Sequence, residues 1–224
     1  MLGLAQSTVS VVLSEVLDVL ESFICQIWIK FNYTEAELQQ AKSHFYNKSR
    51  IPEIIGCIDG THIKIVAPRK ELQHLYYNRK GFFSINAMVV CDHTMKIRYI
   101  NAKNPGATHD SMVFNMSSLK TQLEQQHLNG PRNTWLLGDA GYALKPYLMT
   151  PFRKSEEGSL QRAYNKQHAK GRTLHNICLF YNVQILDEEK FSNVTYDDDV
   201  GDVEVEPVDN SQAEDIRNEI LRTL

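Results

Sequence analysis

Val9, Val12, Leu13, Val16, Leu17, Leu20 and Ile24 recur at intervals of three and four residues, with Ser10, Glu15, Asp18 and Glu21 between them. This spacing predicts an amphipathic helix, capped by Ser7 or Thr8. Such a stripe reads either as a helix packed on a core or as the second helix of a helix-turn-helix, with Gln6, Ser7, Thr8 and Ser10 facing DNA. No positioning helix precedes it, so a module of the second kind would be a remnant. Leu38, Ala41 and Phe45 form a second helical stripe between Thr34 and Asn47. After Pro52 the pattern shortens to apolar runs rich in β-branched residues, Ile54 to Ile65, Phe83 to Cys91 and Met95 to Ile100, which predict strands. The last two are parted only by Asp92, His93 and Thr94 and so form an antiparallel hairpin. Asn101 to Ala107 reads as a loop, Thr108 to Leu123 as a helix, Trp135 to Asp139 as a fourth strand and Tyr147 to Thr150 as a short fifth. A basic run from Arg162 to Arg172 leads into a further helix, and Ile216, Ile220 and Leu221 are spaced for a short terminal one. This order of elements predicts an α/β domain with a mixed central sheet and helices on its faces.

Composition changes the picture in one respect. With 224 residues, 42% hydrophobic and 23% charged, the chain has the make-up of one globular domain with short appendages. Of its 27 acidic and 24 basic residues, 13 acidic and 3 basic ones fall from Asp187 onward, which leaves 21 basic against 14 acidic in residues 1–186. A basic body can approach a phosphate backbone, whereas the acidic tail, too polar to fold alone from Asp187 to Asn210, is expected to be largely disordered. Ser10, Ser14, Glu15, Asp18 and Glu21 interrupt the first apolar stretch, so neither a signal peptide nor a membrane span is expected. Sequons at Asn32, Asn47, Asn115 and Asn193 therefore carry little weight. Cys25, Cys57, Cys91 and Cys178 lack metal-site spacing and read as buried thiols in a reducing compartment.

The chemistry suggested by the residues is carboxylate chemistry. Asp59 interrupts an otherwise apolar strand, and Asp139 ends another between Gly138 and Gly141. A carboxylate in such a setting is costly unless it is compensated. Asp110 opens a helix, where a capping role is the simpler explanation, and His109 stands beside it. Three converging carboxylates repel one another, and the usual relief is a raised pKa or a bound divalent cation, Mg or Mn for an all-oxygen set. Such a cluster suits phosphoryl transfer. There is no phosphate loop, HExxH or GxSxG to support a rival chemistry.

The blocks Ile58-Asp59-Gly60-Thr61-His62-Ile63, Asn78-Arg79-Lys80-Gly81, Asn104 to Ser111, Leu137 to Tyr142 and Leu174-His175-Asn176-Ile177 occur in order. Together they resemble the Harbinger transposase-derived nucleases, a family of DDE-type endonucleases, over roughly Leu4 to Asp187. The resemblance implies a ribonuclease-H-like mixed sheet flanked by helices. It implies Asp59 and Asp139 as the first two acids of the triad, Asp110 as a further metal-associated aspartate with His109 in support, and a divalent cation, Mg or Mn, as cofactor. It also implies a DNA substrate, for which Lys70, Arg79, Lys80, Lys103, Arg153, Lys154, Lys166 and Arg172 are candidate phosphate contacts. Residence in the nucleus as well as the cytoplasm, and a Myb-like DNA-binding partner protein, follow from the same likeness.

The sequence departs from the family after Arg172. There the family has a long helix bearing a glutamate as third acid, but here Gly171-Arg172 runs straight into Thr173-Leu174-His175-Asn176. Glu156 and Glu157 precede the basic segment, Asp187, Glu188 and Glu189 follow it, and none matches, so no third acid is found and the fold is expected to be incomplete at its C-terminal side. The expected organisation is a helical segment over 1–50, a remnant of a helix-turn-helix region, a truncated nuclease domain over 51–186 and the acidic tail over 187–224. Two functions are then open: a metal-dependent endonuclease that hydrolyses phosphodiester bonds by two-metal chemistry, or an inactive, truncated or domesticated product that binds DNA or protein.

Overall fold

The computed structural model describes residues 5–130, 133–183 and 211–223, with the side chains of 174–183 excepted. The expectation of disorder over 187–210 and the sequon Asn193 fall outside the described residues, as does the side chain of Cys178.

Thr34 starts helix α3 (Glu35–Ser49) with a capping box, in which the Glu37 amide donates to Thr34 Oγ1 and the Thr34 amide donates to the Glu37 carboxylate. The apolar run after Pro52 becomes β1 (Ile54–Lys64), whose first five residues are buried. β2 (Ser84–Cys91) and β3 (Ile97–Pro105) form the expected hairpin. Asp92 closes its turn by accepting from the amides of Thr94 and Lys96 and from the Thr94 hydroxyl. Two helices, α5 (Asp110–Asn115) and α6 (Ser118–Asn129), then lead to β4 (Trp135–Leu137) and β5 (Leu148–Met149). The remaining elements are α4 (Gln73–Tyr76), α7 (Leu160–Val183) and α8 (Ser211–Thr223).

The five strands lie in the order β3-β2-β1-β4-β5. β1 is antiparallel to β2 and parallel to β4, and β5 is parallel to β4. This is the ribonuclease-H-like mixed sheet that the resemblance implied. One face packs α5 and α6 through Val113, Phe114, Leu119 and Leu123 against Ile58, Met88 and Leu136. The other packs Phe45 of α3, Tyr164 of α7 and Ile220 of α8 against Ile54, Cys57 and Leu137.

Several local expectations need correction. Asn101 to Pro105 continues β3 instead of forming a loop, pairing Asn101 with Met88 and Asn104 with Asn86. β3 is an edge strand, where polar residues and a terminal proline cost no ladder pairing on the open side. The helix expected over Thr108 to Leu123 breaks at Met116 because Ser117 caps α6, accepting from the Lys120 amide. Cys25 is exposed, whereas Cys57 and Cys91 are buried. The first stripe does form a helix, α1 (Gln6–Val19), continued by a π-helical turn over Leu20–Ile24 and by α2 (Cys25–Trp28). It is not packed on the core, however, because every residue from Ala5 to Trp28 is exposed.

Candidate metal centre

Side chains alternate along β1, so Cys57 and Asp59 share one face while Ile58, Gly60 and His62 share the other. Asp59 points to the α7 side and Asp139 follows β4, which runs parallel beside β1. Asp110, at the start of α5, comes from the opposite side. It can reach the strand end because residue 60 is glycine, and a Cβ there would collide with the Asp110 carboxylate. One carboxylate oxygen from each of Asp59, Asp110 and Asp139 lies within 4.8 Å of the other two. Three acids from three elements therefore form one cluster, and their oxygens fit a single hard cation.

The electrostatics of the cluster bear this out. Burial, reinforced by the charges of Asp139 and Asp110, raises the Asp59 carboxyl to about 7 despite the opposing Arg172. Burial also raises Asp139, with Asp110 adding to it and Arg172 opposing it. The Asp59 carboxylate accepts from the Gly60 amide at 2.9 Å and from Arg172 Nη2 at 2.6 Å. Asp139 accepts from the Gly141 amide at 3.0 Å, and Asp110 from Asn86 Nδ2 at 2.7 Å. These donors hold the carboxylates in place, but among them only Arg172 carries a charge, which offsets one of three negative charges. A divalent cation would supply two more positive charges.

The other candidate residues are placed less centrally. His109 is the exposed residue before α5 and makes no side-chain cap there. Arg79 and Lys80 are exposed near the cluster, close enough for Arg79 to act electrostatically on Asp139 and for both to act on His62. Lys70, Lys103, Arg153, Lys154 and Lys166 are exposed as well, on the turn before α4, on β3, in the segment before α7 and on α7 itself. Arg172 differs from them all, because its side chain is only 14% exposed and is turned onto Asp59. Glu156 and Glu157 are exposed, and among the described residues the cluster contains no glutamate.

Three neighbours escaped the sequence reading. Asn86 holds Asp110 by donating both to it and to the Thr108 carbonyl. The buried Tyr142 hydroxyl has no hydrogen-bond partner among the described residues, and burial and then the three aspartates raise its pKa. His62 is half-buried, with Nδ1 3.0 Å from Ser84 Oγ and within the field of Asp110. A polar residue in the buried run Ser84 to Cys91 was the available signal for Asn86; His62 and Tyr142 lie within the blocks that carry the family resemblance, where no role was assigned to them.

With this geometry in view, comparison with known proteins is informative. Residues 58–178 match the family model described as DDE superfamily endonuclease. The rat protein named "Putative nuclease HARBI1" is 34% identical over 182 residues, covering 79% of this chain and 50% of the relative. The human protein of that name is 34% identical over 169 residues, 75% of this chain and 46% of the relative. In Arabidopsis thaliana, "Protein ALP1-like" is 28% identical over 146 residues, 60% of this chain and 36% of the relative. The chain thus spans about half the length of the HARBI1 relatives. No solved structure gives a significant match. The match spans β1 to α7 and takes in all three clustered aspartates, so the chain belongs to the DDE superfamily endonucleases.

Proposed function

We propose that the chain is a metal-dependent DNA endonuclease whose cation, Mg or Mn, is held by Asp59, Asp110 and Asp139. The observation that carries this reading is the convergence of three carboxylate oxygens from β1, α5 and the end of β4 within 4.8 Å. When bound, such a cation, joined by a second one in two-metal chemistry, would supply Lewis-acid stabilisation of the leaving oxygen and a water of lowered pKa. The chain's own groups do the rest. Asp59 and Asp139 would hold the metal through their carboxylate oxygens, and the Asn86 amide fixes the oxygen of Asp110. Arg79 and Lys80, exposed beside the cluster, offer the positive charge that draws a phosphodiester toward it. Residence in the nucleus and the cytoplasm, and delivery to DNA by a Myb-like partner, belong to the same proposal. The two relatives named putative nucleases and the family match support it as far as a nuclease. The test is nicking of supercoiled plasmid by the purified chain in Mn. Asp59→Asn and Asp139→Asn are each expected to abolish nicking, and nicking that survives both would remove the aspartates from the mechanism.

A second reading is favoured by one specific observation: no glutamate joins the cluster among the described residues, so the ligand set is all-aspartate and short of the family's third acid. On this reading the chain binds a cation and DNA or protein but cuts nothing. A melting temperature that rises with Mn while plasmid stays intact would select it.

A further inference from the structure

Gly171 brings α7 into direct contact with the sheet. A Cβ at that position would stand 2.6 Å from Leu137 Cδ1 and 3.3 Å from Ser49 Cβ, so only a residue without a side chain allows the helix backbone this close to β4 and α3. Cys57 Sγ lies 3.7 Å from the Gly171 carbonyl, to which it donates. Asp59 is two residues further along the same face of β1, and Arg172 is the next residue along α7, so the two contacts run in register and the helix delivers its guanidinium to the cluster. Nη2 meets Asp59 Oδ2 at 2.6 Å. The guanidinium is not fully satisfied there, because its buried Nε–H has no hydrogen-bond partner among the described residues. Its hydrogen bond there is to Asp59, one of the three carboxylates that a divalent cation at the cluster would engage.

We infer that Arg172 is a resident counter-ion of the three-aspartate cluster, one that a divalent cation must displace from Asp59, so that this arginine weakens and thereby sets the chain's affinity for metal. The inference rests on the proposal that the cluster takes a divalent cation, and it adds a regulatory element. Three carboxylates and one guanidinium leave the cluster with a net deficit of positive charge, so metal still binds. It binds against the repulsion of a nearby cation and at the cost of a charge-assisted hydrogen bond. Any change that draws α7 or its arginine off the sheet would raise metal affinity.

The experiment is a Mn titration of the full chain, followed by electron paramagnetic resonance of free Mn, for the wild type, Arg172→Met and Arg172→Lys, with Asp139→Asn as the control for binding at the cluster. Arg172→Met is expected to bind Mn about tenfold tighter or more, since a cation that competes at contact distance is gone. Its metal-free melting temperature is expected to fall, and its rise on Mn addition to exceed that of the wild type. Arg172→Lys, which keeps the charge, is expected to bind like the wild type. Equal or weaker Mn binding by a cooperatively folding Arg172→Met chain would overturn the inference while leaving the metal site standing. Absence of Mn binding dependent on Asp139 in every variant would overturn the site itself. A second measurement needs no substitution of the folded wild type: the Arg172 Nε–Hε resonance, assigned by its loss in Arg172→Lys, is expected to move as Mg is added, and a fixed resonance at saturating Mg would overturn displacement.

Discussion

Arg98 meets Asp92 and Arg172 meets Asp59 at the same 2.6 Å separation, yet the pKa values of the two carboxyls are shifted in opposite directions. Burial works to raise the Asp92 carboxyl, but hydrogen bonds from the Thr94 hydroxyl and amide and from Arg98 outweigh it and leave the pKa lowered. Asp59 has the Gly60 amide and Arg172 as donors and two carboxylates as neighbours, and it is raised to about 7. The arginines differ in the same way. Arg98 donates from Nε to Asp92, from Nη1 to the Asn32 carbonyl and from Nη2 to Glu37, and it lies over the Tyr33 ring at 4.5 Å. Among the described residues Arg172 Nε has no hydrogen-bond partner. An arginine–aspartate contact is therefore not structural in itself. The donors and like charges around it decide whether the pair is a fixed part of the fold or a site with charge to spare.

Removing the arginine from the satisfied pair is expected to have the largest effect. Arg98→Met leaves the fully buried Asp92 side chain without a counter-charge, and loss of one partner of such a pair costs about 3–5 kcal/mol. Urea unfolding at neutral pH measures it. Removing the carboxylate of the other pair is expected to have the opposite sign. Asp59→Asn at pH 8 removes one of three repelling carboxylates, and the metal-free chain is expected to gain on the order of 1 kcal/mol. A large loss in Asp59→Asn would mean that Asp59 is structural in the way Asp92 is.

The same contrast sets the pH dependence. Asp92 is lowered in the folded state, so its contribution is present above the ordinary carboxylate range and is lost on acidification through it. Asp59 is raised from 3.8 to about 7, so the folded chain holds that proton more tightly than the unfolded one. Its contribution is full below the ordinary value and is lost as pH rises toward about 7. Melting temperature without metal is therefore expected to fall across that interval, and Asp59→Asn to flatten the fall. A fall of unchanged size in Asp59→Asn would assign it to other groups, the similarly raised Asp139 first among them.

The two pairs also differ in what could be read from the chain. Asp59 and Asp139 were legible because a carboxylate in or ending an apolar strand is expensive, and the strands themselves were legible from runs of β-branched residues. The edge strand was cut short at Asn101 because its polar residues carry no strand signal when one side needs no partner. Nothing in the sequence singled out Arg98, six residues from Asp92, since its three partners come from Asn32, Glu37 and the hairpin turn. Arg172 read as one more basic residue available for phosphate, because 113 residues separate it from Asp59 and only the seating of Gly171 against Leu137 brings them together. Periodicity reveals which face of an element is buried. Which groups meet across the sheet is a property of the packing.

Glu37 supplies the finest division of the comparison, and the smallest expected effect. It accepts from the Thr34 amide at 2.8 Å and from Arg98 Nη2 at 2.7 Å, so it belongs both to the cap of α3 and to the satisfied pair. The Thr34 amide and then Arg98 hold its carboxyl down to about 2, but its side chain is 34% exposed and water screens much of that interaction. Glu37→Gln keeps an acceptor for Thr34 and removes only the charge facing Arg98, which Asp92 still neutralises. The expected loss is about 0.5–1 kcal/mol, in the range of a cap or an exposed ion pair, read from the same urea midpoints as Arg98→Met. A loss approaching that of Arg98→Met would show that Asp92 alone does not hold the arginine. The satisfied pair would then depend on Glu37 to anchor the guanidinium against Asp92, and the contrast with Asp59 would shift from the number of donors on each carboxylate to how firmly each arginine is held.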